Sequence, residues 1–167
     1  KNLGIDLGLG FYSNYGLIGG GARYFISDSQ DIHVNTGIDV SGFIIGAGSR
    51  LYFQPNENKC FFVFSCKPRY FVGGDFLRAN GGTVTVESDG VKGEYKQSDG
   101  YATNLSVGSY DVFGESFTMG LELGYRFWLK RPTADFQSGT YLQKHQDDLK
   151  KSLEDSVNLA LTFGWLF

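Results

Sequence analysis

Hydrophobic residues in this chain recur at every second position. "NLGIDLGLGF" puts Leu3, Ile5, Leu7, Leu9 and Phe11 on one face and Gly4, Asp6, Gly8 and Gly10 on the other. "DIHVNTGIDV" sets Ile32, Val34, Thr36, Ile38 and Val40 against His33, Asn35, Gly37 and Asp39. "FTMGLELGYRFWL" opposes Phe117, Met119, Leu121, Leu123, Tyr125, Phe127 and Leu129 to Thr118, Gly120, Glu122, Gly124, Arg126 and Trp128. The chain finishes the same way, with Val157, Leu159, Leu161, Phe163, Trp165 and Phe167 in one row. A period of two is that of a β-strand with two unlike faces. Turn-forming clusters such as "SDSQ", "PNEN" and "GES" separate the runs. The pattern predicts strands over roughly 2–12, 16–27, 31–40, 43–54, 60–78, 101–113, 117–129 and 156–167.

Strands of about ten residues or more are long enough to cross a bilayer at a tilt. If the last strand runs toward the termini, the connections at 27–30, around 55–59 and at 114–116 share that side. The other side then carries "YSNY", the tight Ser41-Gly42 turn and two long connections, about 79–100 and 130–155. Within the first, "TVTVESDGVKGEYK" reads as a hairpin turning at Asp89-Gly90. Within the second, "TYLQKHQDDLKKSLEDS" reads as a short helix, with Leu142, Leu149 and Leu153 spaced for one stripe and Asp147 four residues before Lys151. A solvated capping helix is the expectation there.

Composition agrees with an all-β chain of one domain, residues 1–167. Aromatic residues make up 16% and glycines number 24, against 3 prolines and 1 methionine, which favours sheet over helix bundle. A net charge of -3 leaves no basic patch for nucleic acid. No run of about 18 apolar residues exists to form a transmembrane helix. No signal peptide is recognisable and residue 1 is Lys, the expectation for a mature or trimmed chain.

What covers the apolar face, protein or lipid, turns on the other face. A soluble sandwich or barrel turns Lys, Glu, Thr and Ser to water. Here the second face is mostly glycine with single charges, which suits a narrow barrel interior. By parity that face collects Asp6, Arg23, Asp39, Arg50, Arg69, Asp75, Glu122 and Arg126. The acids and bases balance, as ion pairing inside an eight-stranded bore requires. Aromatic residues gather at strand ends (Phe11, Tyr12, Tyr52, Phe53, Phe127, Trp128, Trp165, Phe167) as interfacial girdles do. The expected fold is an eight-stranded antiparallel up-and-down transmembrane β-barrel with a short helix in the last long loop.

These residues resemble the small eight-stranded outer-membrane barrels of Gram-negative bacteria, the superfamily of the outer-membrane protein A transmembrane domain. The resemblance extends over the whole chain as a pattern, and "LELGYRF" (121–127) resembles penultimate-strand phrasing in that group. Those families end in a signal of the form polar-x-Gly-x-x-hydrophobic-x-aromatic, read by the barrel-assembly machinery. Phe167 matches the aromatic and Trp165 the hydrophobic residue, with Phe163 in the same row. Thr162 stands where Gly is expected and Ala160 where a polar residue is expected. The resemblance implies a bacterial outer-membrane location, contact with outer-membrane lipid and lipopolysaccharide, and the assembly machinery as a partner during biogenesis.

Candidate chemistry is sparse. Lipid-A deacylases of this kind carry a His-x-Ser pair on a late strand, whereas the histidines here sit in "HVN" (33–35) and "HQD" (145–147). Omptin-like proteases resemble larger, ten-stranded barrels. Two distant histidines without clustered cysteine make no metal site. "GLGFYSNYGLIGGG" lacks the lysine and following helix of a phosphate loop. A lumen histidine is the expectation for His33, no cofactor is implied, and the chain reads as non-enzymatic. Cys60 and Cys66 bracket "FFVFS" and admit two readings. They form a disulfide closing a tight loop, or they lie about 20 Å apart on one extended strand. For function, a closed ion-paired barrel acting as a structural or interaction protein, with a partner at the outer loops or the wall, comes first. Passage of small or hydrophobic solutes through a narrow pore is the alternative, and lipid-A modification stands third.

Overall fold

The computed structural model describes residues 2–53, 69–88 and 90–167. Its elements are β1 (Leu3–Ser13), β2 (Gly16–Ser27), β3 (Gln30–Asp39), β4 (Gly42–Phe53), β5 (Arg69–Asn80), β6 (Thr83–Ser88), β7 (Val91–Gln97), β8 (Gly100–Phe113), β9 (Phe117–Lys130), β10 (Ala134–Gly139), α1 (Gln143–Ser152) and β11 (Ser156–Leu166). Eight of the strands close into an antiparallel barrel in the order β1-β11-β9-β8-β5-β4-β3-β2. The seam is the pairing of the first strand with the last, from Gly4 opposite Leu166 to Phe11 opposite Leu159. At its end the Phe167 amide donates to the Leu3 carbonyl at 2.8 Å. Closure leaves no free sheet edge, the condition for a sheet surrounded by hydrocarbon.

The period-two pattern survives in the fold as alternating burial, residue by residue through β3. The faces are the reverse of a water-soluble barrel. Leu7, Val34, Leu105 and Leu123 point outward and are more than half exposed, while Arg23, Glu122 and Arg126 point inward and are at most 2% exposed. Within the girdle, Phe11, Phe53, Phe127, Trp165 and Phe167 face outward. Tyr52 does not, because it shares the inner face of β4 with Arg50 and lies buried in the lumen. Trp128 likewise has inner-face parity, and the Arg126 guanidinium lies over its ring at 5.6 Å.

Both termini and the turns at 28–29 and 114–116 lie on one rim, the terminal rim. The loop rim carries the turns at 14–15 and 40–41 and two structured excursions. β6 and β7 form the expected hairpin, and β10 adds to it as a third strand in the order β10-β7-β6. "ADFQSG" carries no alternating pattern of its own, and pairing with β7 is what makes it a strand. α1 covers one face of this sheet, burying His145 and Leu149, with the Tyr95 ring edge-on to His145 at 6.1 Å. Among the described residues β5 starts at Arg69. The predicted strand portion 60–68, the connection at 55–59, and Cys60 and Cys66 lie outside the described residues.

Candidate functional site

The inner face of the barrel is a layered polar core. Nearest the terminal rim, Arg23 on β2 grips Asp6 on β1 with two guanidinium nitrogens, Nε at 2.6 Å from Oδ2 and Nη2 on Oδ1. Its guanidinium carbon lies 4.3 Å from the centre of the Tyr110 ring. Phe25, Tyr52, Phe71 and Tyr110 pack together here as the one apolar cluster within the bore among the described residues. A planar cation stacked on rings and forked onto a carboxylate loses little by leaving water.

At mid-depth, Arg50 Nη2 donates to Glu122 Oε2 at 2.6 Å, and the Arg50 guanidinium lies over the Phe71 ring at 4.7 Å. Asp75, four strands from β9 in chain order but beside β8 in the wall, receives His33 Nε2 at 2.6 Å. His33 Nδ1 lies 2.8 Å from Asp31 Oδ1, and the Tyr52 hydroxyl donates to Asp31 Oδ2 at 2.5 Å. Carboxylate oxygens thus flank both ring nitrogens of His33. Toward the loop rim, Arg126 Nη1 donates to Asp39 Oδ2 at 2.7 Å and Nη2 to the Ser13 carbonyl at 2.8 Å.

The structure thus brings Asp6 to Arg23, Arg50 to Glu122 and Asp39 to Arg126, and gives Asp75 to His33. Glu122 and Arg126, on one face of β9, find their partners on other strands. Arg69 is not in this set. It opens β5 at the mouth of the terminal rim, half-buried, and among the described residues its guanidinium reaches the Asp28 carbonyl at 3.5 Å. Asp31 belongs to the network instead, and its parity with His33 and Asn35 was a sufficient signal. Five carboxylates therefore face three arginines and the His33 ring, and neutral amides supply further donors.

Those amides come from a place the strand pattern does not reveal. The first turn folds back into the bore, so that Ser13, Asn14 and Tyr15 are at most 1% exposed. Asn14 Nδ2 donates to Asp75 Oδ2 at 2.6 Å and reaches Glu122 Oε1 at 3.2 Å. Asn104 Nδ2 donates to Asn14 Oδ1 at 2.9 Å, and Asn158 donates to Asn104, extending an amide chain across β8, β11 and the turn. The Tyr15 ring lies against β1 where a methyl group at Gly8 would overlap it. Gly16, at φ +66°, turns the chain back into β2. The glycine-rich stretch of β1 and β2 is therefore a socket for an inserted turn. The rim of the loop excursion is polar too: Arg78 pairs with Asp99 at 2.9 Å, and Asp99 also accepts the Gly81 amide at 3.0 Å. These two bonds hold the Asp99 carboxyl below its ordinary range. Phe163, Trp165 and Phe167 lie on the outer face, Phe163 between Leu7 and Met119 and Trp165 edge-on to Phe117 at 5.6 Å.

Among the described residues no group of three or more His, Cys, Asp or Glu side chains is arranged to hold a metal, and no helix is long and apolar enough to cross a membrane. No protein-family model matches the chain, and no curated protein matches it. Among solved structures, the N-terminal β-barrel domain of Pseudomonas aeruginosa OprF is similar over 99% of this chain and 97% of that one, at 14% identity and a TM-score of 0.59. The chain has the fold of an outer-membrane-type eight-stranded antiparallel β-barrel, the fold its alternating strands led us to expect.

Proposed function

We propose that this chain is an integral barrel of a bacterial outer membrane with a closed lumen, acting as a structural or interaction protein and not as an enzyme. The observation that carries this reading is the Asn14 side chain. It sits in the middle of the bore, bonded to both Asp75 and Glu122. Around it, Arg50–Glu122 and Arg126–Asp39 span the bore from β4 to β9 and from β9 to β3, and Arg23–Asp6 joins the neighbouring β2 and β1. A bore spanned by paired charges and filled by its own turn offers no continuous water path. The membrane part of the proposal rests on the outward apolar wall, which no water-soluble monomer exposes on this scale. Outer-membrane lipid and lipopolysaccharide are the surroundings proposed for that wall. Phe163, Trp165 and Phe167 are proposed as the residues the barrel-assembly machinery reads. The sheet of β6, β7 and β10 with α1, held to the loop rim by Gln97 donating to the Val40 carbonyl at 3.3 Å, is the surface proposed for a protein partner.

Membrane association and solute permeability both test this. The protein should fractionate with outer membranes, resist carbonate extraction and shift its gel mobility on heating. Proteoliposomes carrying it should swell no faster in small sugars than empty vesicles. Rapid swelling would favour the narrow-pore alternative.

A further inference from the structure

The eight barrel strands carry six carboxylates among the described residues, and five of them point into the lumen. The sixth, Asp111 on β8, points out of the wall. Its register partners settle this: Asp111 lies opposite Met119 of β9, which lies opposite Phe163 of β11, a row on the outer face. The row nearer the terminal rim is Phe113, Phe117 and Trp165, whose rings meet in sequence at 6.1 and 5.6 Å. Asp111 is only half-buried as a residue, yet its Oδ1 is sealed from solvent and meets no hydrogen-bond donor among the described residues. It faces a cleft of about 170 Å³ bounded by Ser109, Phe113, Met119, Leu121 and Leu161.

A carboxylate oxygen without a donor, among Phe113, Met119, Leu121 and Leu161, is an unfilled requirement for a cation. The surroundings narrow which one. An aromatic ring flanks the cleft, and a ring face attracts an ammonium. The volume corresponds to about five or six waters, room for a small aminoalkyl group but not for a guanidinium on a long stem. Leu121 and Leu161 continue the cleft toward mid-membrane as an apolar track. Asp111 lies two residues from the end of β8, at the depth where lipid headgroups meet the aromatic girdle.

We infer that Asp111 and the Phe113 ring form a headgroup site for a phospholipid bearing a primary ammonium, with one acyl chain along Leu121 and Leu161. The inference rests on the membrane location proposed above. The ammonium donates to the Asp111 carboxylate on its cleft side, and the phosphate stays in the headgroup layer outside the cleft.

The test uses the full chain in nanodiscs of equal parts phosphatidylethanolamine and phosphatidylglycerol with matched acyl chains, followed by native mass spectrometry of the retained lipid. Incorporation is scored first by heat-dependent gel mobility, so failure to insert refutes the membrane reading separately. The wild type should retain phosphatidylethanolamine over phosphatidylglycerol by about tenfold, the worth of one charge-assisted hydrogen bond. Asp111→Asn should lose that preference while folding normally, Asp111→Glu should keep part of it, and Asp148→Asn, in α1 on the opposite rim, should keep all of it. Equal retention by wild type and Asp111→Asn would overturn the site. So would abolition of the preference by millimolar free ethanolamine, which would show a soluble amine to be the occupant.

Discussion

Asn14, at the tip of the first turn, donates to Asp75 Oδ2 at 2.6 Å from inside the lumen. A loop residue thereby becomes a central member of the core, and the turn that carries it is clasped by Arg126 through the Ser13 carbonyl. Removing water from so many polar groups is tolerable because each acid in the bore meets a donor.

The socket for this turn can be spoiled without touching any polar group. Gly8→Val adds a side chain where the Tyr15 ring now lies. Overpacking of this kind costs about 1–3 kcal/mol, read as a lower urea midpoint for unfolding from lipid. Gly82→Ala, which meets no atom within 4 Å, should be nearly silent. Equal effects of the two would show that the turn is not lodged in the bore.

Glu122→Gln leaves Arg50 buried without its carboxylate. Breaking one side of a buried pair costs about 3–5 kcal/mol. Asp148→Asn, on the exposed side of α1, should change unfolding by less than about 0.5 kcal/mol. The contrast is measurable by equilibrium unfolding in the same vesicles.

On the closing strand, Phe163→Arg puts a cation on the outer apolar face between Leu7 and Met119, which the proposed function places in hydrocarbon. The expected loss is about 2 kcal/mol. Thr162→Ser, one residue away on the inner face, should be tolerated. Equal damage from both would contradict the assignment of outer and inner faces.

Asp99 gives a pH-dependent contact outside the strands. Its carboxyl is held below the ordinary range by Arg78 and the Gly81 amide. A lowered folded-state value means the contact is intact above the unfolded carboxylate range and is lost as pH falls through the folded value. Hydrogen exchange at the Gly81 amide should therefore speed up relative to its neighbours in acid. Asp99→Asn should remove that dependence.

How much of this was legible in the chain divides along physical lines. Alternation names strands reliably where one face is uniformly apolar and the other a packed bore, so Leu3 to Phe11 and Val157 to Phe167 were readable at once. Parity also assigned Asp6, Arg23, Asp39, Arg50, Asp75, Glu122 and Arg126 to one face. Parity cannot say how far along the bore a charge sits, which is why Arg69 was grouped with them although it stands at the mouth. Nor does it reach into turns: "YSNY" reads as an exposed connection, and nothing local says that Asn14 and Tyr15 point inward. That outcome depends on glycines distant in sequence vacating the space. Tyr52 was misread for a related reason, since an aromatic residue near a strand end suits a girdle or a lumen stack equally well until its hydroxyl partner, Asp31, is seen. β10 carries no alternation because its strand state comes from pairing with β7.

The central claim, that the bore is closed by its own turn and ion pairs, is tested most directly by planar-bilayer recording of purified protein. The wild type should show no steady unitary conductance, while Gly8→Val, by displacing Tyr15, should produce discrete openings. Steady wild-type conductance that Gly8→Val leaves unchanged would contradict the closed lumen and make the barrel a narrow pore.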